Sequence, residues 1–64
     1  MKIKVNGKVL KVHNTVHKGY GPAHTYNTED GSVEQDVMAP LTWWWITKAG
    51  VVRRVDAPEV VEIP

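Results

Sequence analysis

Apolar and polar residues alternate with a period of two from the start of the chain, most cleanly on either side of Asn6-Gly7. Asn-Gly is the preferred pair for a two-residue type I′ hairpin turn, because both central positions need positive φ. Pairing outward from that turn sets Val5 against Lys8, Lys4 against Val9, Ile3 against Leu10, Lys2 against Lys11 and Met1 against Val12. One face then collects Met1, Ile3, Val5, Leu10 and Val12, and the other Lys2, Lys4, Lys11 and Val9. A slip of one residue would turn every apolar side chain to the wrong face, so turn chemistry and periodicity specify the same register independently.

The alternation weakens from His13 to Thr28. Gly19, Gly21 and Pro22 break regular structure and predict a loop over 18–24, followed by a short strand at Thr25–Thr28. Asp30-Gly31 is a turn signal. Ser32-Val33-Glu34-Gln35 has the form of a helix capping box, and Val33 and Val37 would share a helical face, so a short helical turn near 33–38 is expected, stopped by Pro40. The alternative is a polar hairpin about Asp30-Gly31. Thr42–Thr47, with three consecutive Trp, is dense in strand-favouring types, and Lys48-Ala49-Gly50 suits a three-residue hairpin loop with Gly in the left-handed region. That loop sets Ile46 against Val52, Trp45 against Arg53 and Trp44 against Arg54. Asp56-Ala57-Pro58 breaks the pattern, and Glu59–Ile63 reads as a last, edge strand.

Five or six short strands in 64 residues predict a mainly β fold, a small SH3-like or OB-like barrel or a bent antiparallel sheet, as a single domain over 1–64. The runner-up is an α+β domain with one short helix against a sheet. The opening Met-Lys-Ile-Lys-Val-Asn-Gly-Lys-Val-Leu-Lys-Val is similar to the first hairpin of many β-grasp proteins, including sulfur carriers. The resemblance ends with the hairpin. A β-grasp fold needs a long helix next, and 13–31 is poor helix material; the carriers end in Gly-Gly, and this chain in Glu-Ile-Pro.

Composition narrows the function classes. Without Cys there is neither a disulfide framework nor a thiolate metal site. No apolar run approaches the ~20 residues that span a membrane, so no membrane partner is expected. The chain opens on Met, and Lys alternates with apolar residues there without an apolar h-region; a complete small cytoplasmic product without a signal peptide is the expectation. The net charge is only +1, low for a dedicated nucleic-acid binder, but the charges lie in blocks: Lys2 to Lys18 without an acid, then Glu29, Asp30, Glu34 and Asp36 without a base. These blocks are expected to neutralise each other across a folded sheet.

Little in the sequence suggests catalysis. His13-x-x-x-His17 has the spacing of a helical zinc pair, but on a strand the two lie about 13 Å apart, too far to share an ion. No metal site and no cofactor are expected. The single Ser, Ser32, stands where a cap is expected, and no Gly-rich phosphate loop precedes a helix. A non-enzyme is therefore predicted. The Trp run is the most unusual feature. In a strand Trp43 and Trp45 point one way and Trp44 and Ile46 the other. Ile46 with Val52 reads as the better core pair, which places Trp43 and Trp45, with Arg53, on the less covered face as partner-binding residues. The expected function is a small protein-interaction module, an adaptor or inhibitor of the kind phages and mobile elements encode, that binds a larger protein. The alternative is a single-stranded nucleic-acid-binding barrel, with Lys2, Lys4 and Lys11 as nucleic-acid or anion contacts. A homo-oligomer with strand edges paired between copies is the third reading.

Overall fold

Strand-favouring segments and tight turns alternate along the chain, and the computed structural model, which describes residues 1–19 and 23–62, forms them into seven strands with no helix among the described residues. They are β1 (Lys2–Val5), β2 (Lys8–Val16), β3 (Thr25–Thr28), β4 (Gly31–Gln35), β5 (Trp43–Ile46), β6 (Val52–Val55) and β7 (Glu59–Glu62). All neighbours are antiparallel, in the order β6-β5-β4-β3-β2-β1-β7. Six strands thus form a meander, and the seventh returns to the far side of β1.

The first hairpin has the register its sequence predicts, from Val5↔Lys8 to Lys2↔Lys11, with Asn6 at φ 47 and Gly7 at φ 84. The β5–β6 hairpin also follows its prediction, with Ile46↔Val52, Trp45↔Arg53 and Trp44↔Arg54. Gly50 takes φ 85 and its N–H donates to Thr47 O at 2.9 Å, closing the loop. The helical turn expected near 33–38 does not form. Gly31 at φ 80 makes the Asp30-Gly31 hairpin, and 32–35 become a central strand paired with β3 on one side and β5 on the other. Two ladders satisfy more backbone groups than one helical turn, and Val33 gains full burial. This strand raises the count from the expected five or six to seven. Part of the loop expected over 18–24, Tyr20–Pro22, and Ile63 of the last expected strand lie outside the described residues.

β2 gives the sheet its curl. Its first half, Lys8–Lys11, pairs with β1, and its second half, Val12–Val16, with β3, with a register shift between Val12 and Asn14. Such a bulge bends a strand and increases its twist. The connection from β6 to β7 requires the same curvature. In a flat sheet these strands would stand six spacings apart, about 29 Å, whereas the chain from Val55 to Glu59 reaches at most about 14 Å. Asp56 N donates to Asn6 Oδ1 at 3.3 Å, fastening the end of β6 to the first turn. The result is a curled half-barrel with Ile3, Val5, Leu10, Tyr26, Val33, Trp43, Trp45 and Val55 inside, joined by Ala23.

Candidate functional site

Strand periodicity divides the Trp run as expected, but the faces are reversed. Trp43 and Trp45 are interior, 7% and 6% exposed, while Trp44 and Ile46 are half-buried on the outer face. The cause is volume. The chain has no Phe, and the curled interior needs large rings: Trp43 packs tilted on Tyr26 with centroids 6.2 Å apart, and Trp45 stands opposite Val33. The Trp45 indole N–H donates to Asp30 O at 2.8 Å, and Lys8 Nζ lies 5.7 Å from the Trp45 ring centre. Ile46 and Val52, expected as a core pair, sit on the outer face at the hairpin end, where Val52 is 59% exposed. Arg53, expected beside exposed Trp rings, is itself exposed across from interior Trp45.

Asp30 is an architectural centre rather than a solvated acid. Its backbone oxygen receives Trp45, its Oδ1 receives Lys48 N at 3.0 Å, and its Oδ2 lies 3.7 Å from Lys8 Nζ. The Lys face of the first hairpin is partly neutralised, by acids of β7 rather than by the 29–36 block. Lys2 pairs with Glu62 at 3.3 Å and Lys4 stands opposite Glu59, while Glu29 Oε2 accepts only the backbone N–H of Lys11, at 2.7 Å. Lys2 and Lys11 remain direct cross-strand neighbours. His13 lies within β2 and His17 just beyond its end, both exposed, and no cluster of three or more metal-ligating side chains occurs among the described residues.

The most distinctive surface lies between β4 and β5. Residues 37–41 read Val-Met-Ala-Pro-Leu, and Val37, Met38 and Leu41 are 69%, 89% and 97% exposed. The segment is nevertheless tied down along its length. Asp36 Oδ1 accepts the Met38 N–H at 2.8 Å and the Ala39 N–H at 3.3 Å. Asp36 N donates to Thr42 O at 2.9 Å, Thr42 N to Ala39 O at 2.8 Å, and Gln35 Nε2 to Pro40 O at 2.7 Å. The outer-face ring joins this network, because the Trp44 indole N–H donates to Asp36 Oδ2 at 3.1 Å. That bond, and then the Met38 amide, hold the Asp36 carboxyl below its ordinary pKa. Beside the loop lies an open depression of about 450 Å³ lined by Lys18, His24, Glu34, Asp36, Val37 and Trp44. The available sequence signal is the run of five apolar or Pro residues between Asp36 and Thr42; the helical reading of 33–38 takes Val37 into its apolar face and Pro40 as its stop.

The depression combines one aromatic ring with two carboxylates and two basic side chains, an arrangement suited to polar and aromatic contacts with a partner surface. No family model matches the chain, and neither a curated protein nor a solved structure matches it.

Proposed function

We propose that this protein is a small non-enzymatic interaction module that binds a larger protein through the 37–41 loop and the outer Trp44 face beside it. One observation carries the reading: Met38 and Leu41 are almost fully exposed, and Val37 largely so, on a loop fixed by several hydrogen bonds. Apolar side chains on a mobile loop need no partner, and scattered exposed apolar residues are ordinary. A contiguous apolar tip held in one conformation is different, because its ordering lowers the conformational cost of docking, and clustered exposed apolar surface marks interaction sites. The neighbouring Trp44, with its polar edge bonded to Asp36, supplies an aromatic anchor of the kind concentrated in interfaces.

The Lys row favours this reading over a nucleic-acid one. Lys2 and Lys4 stand beside Glu62 and Glu59, so the row alternates in sign rather than tracking a phosphate backbone. The test is affinity capture from the native host lysate with and without nuclease treatment, using wild type and Leu41→Asp as paired baits. A protein retained by wild type and reduced roughly 30-fold on Leu41→Asp, equivalent to ~2 kcal/mol, is the expected result. Equal capture by both baits, or capture abolished by nuclease, overturns the proposal.

A further inference from the structure

The two ends of the sheet carry opposite charges in complementary patterns. β6 is Val-Arg-Arg-Val at one edge, and β7 is Glu-Val-Val-Glu at the other. On each, one side of the backbone has no strand beside it among the described residues. Such edges are templates for pairing with another chain. Both are accessible: Val52 is 59% exposed, Val60 and Val61 41% and 42%, and Arg53, Arg54, Glu59 and Glu62 are all exposed.

We infer that the β6 edge of one copy pairs with the β7 edge of a second copy, joining molecules head to tail. Charge selects this combination among the three available. Two β6 edges paired antiparallel would set Arg53 against Arg53 or Arg54 against Arg54 of the second copy, and two β7 edges would set Glu59 against Glu62; like charges directly opposite are destabilising. The unlike pair brings opposite signs together. β6 and β7 run in the same direction, so antiparallel pairing inverts the second copy and sets the Arg53 side of β6 level with the Glu59 side of β7. In one such register Arg53 meets Glu59, Val52 meets Val60 and Val51 meets Val61. That register covers the exposed valines of both edges and extends the row in which Glu59 already faces Lys4. Charged residues on an edge ordinarily prevent aggregation. When the two edges differ in sign, the same residues repel like edges and attract unlike ones. Because the contact is heterologous, each added copy presents a fresh edge of each kind, so growth passes the dimer unless a ring closes.

Edges of four residues make a small interface, in the weak class below about 1,200 Å². The experiment therefore uses sedimentation equilibrium of the full chain at high concentration. The expected result is a weight-average mass that rises above the 7.2 kDa of one chain at low salt and falls back as salt is added. The double variant Arg53→Glu with Arg54→Glu should weaken association at least roughly tenfold, whereas Arg53→Lys with Arg54→Lys should preserve it. Glu59→Lys, which leaves the Lys2–Glu62 pair in place, should also weaken self-association, and mixing it with the Arg-to-Glu variant should restore assembly between the two proteins. Circular dichroism confirms that each variant is folded; if Glu59→Lys is not, the paired Arg variants decide alone. A strictly monomeric wild type at low salt overturns the inference, as does association that survives charge reversal. Leu41→Asp separates this contact from the loop interface: association lost on that variant and unaffected by the Arg variants assigns self-assembly to the loop and overturns the edge pairing.

Discussion

At Gly31 the backbone runs at φ 80, and a Cβ there would collide with the carbonyl oxygen of Ile46 on the neighbouring strand. Gly50 takes a similar φ of 85 but opens onto empty space. The pair separates two reasons for glycine, conformation and close approach. Gly50→Ala meets only the left-handed backbone penalty of about 1–2 kcal/mol, whereas Gly31→Ala adds a clash and should cost roughly 2–5 kcal/mol. Urea unfolding of both variants checks this, and equal losses would show that β4 and β5 separate easily at Gly31. Asp36 gives a second prediction at this scale. Its folded pKa is depressed, so the carboxylate's contribution to loop order is present above the ordinary value of 3.8 and is lost as pH falls through the lower folded value. The Trp44 indole N–H resonance should therefore shift with a midpoint below pH 3.8. It should lose this titration in Asp36→Ala, and a midpoint at or above the ordinary value would contradict the bond.

β5 shows how far an element can be read from its sequence and where that reading stops. Alternation forces Trp43 and Trp45 to one side and Trp44 to the other, and the Lys48-Ala49-Gly50 loop sets the register with β6; both are local and legible. Which side is interior is not local. It follows from curvature, which brings Tyr26 of β3 and Val33 of β4 onto the Trp43/Trp45 side. The same limit explains β4: Ser32–Gln35 fits a capping box considered alone, and only the strands on both sides make it extended. The 37–41 loop does not stand out in the sequence for a related reason: the helical reading of 33–38 covers its start and uses Pro40 only as a stop. Truncation of the rings tests the element directly. Trp45→Ala removes a buried ring and its bond to Asp30 and should cost about 3–5 kcal/mol, enough to unfold a marginal chain. Trp44→Ala should cost distinctly less and leave a cooperative thermal transition. A larger loss at Trp44 would place the core on the other face.

The whole molecule depends on a curl that no single hairpin specifies. The bend in β2 and the short β6–β7 connection impose it from two directions, and Asn6, chosen for its turn, also receives Asp56. Within this arrangement β7 is peripheral: all four of its residues are exposed, and the interior cluster contains none of them. Its attachment is a backbone ladder to β1 and the Lys2–Glu62 pair. A surface pair contributes ~0–1 kcal/mol, and each ladder bond nets ~1 kcal/mol, opposed by the entropy of ordering the strand. Removing residues 59–64 should therefore lower stability by roughly 1–3 kcal/mol and leave the half-barrel folded. Amide exchange would then quicken in β1, whose outer side loses its neighbour, while β3, β4 and β5 keep their protection. Lys2 and Lys4 would guard the newly exposed edge against aggregation. The same truncation removes the acidic edge on which head-to-tail pairing depends, so low-salt association should vanish although the fold persists. A truncated chain that does not fold would instead make β7 the closing strand of the structure, with the curl maintained from the β1 side.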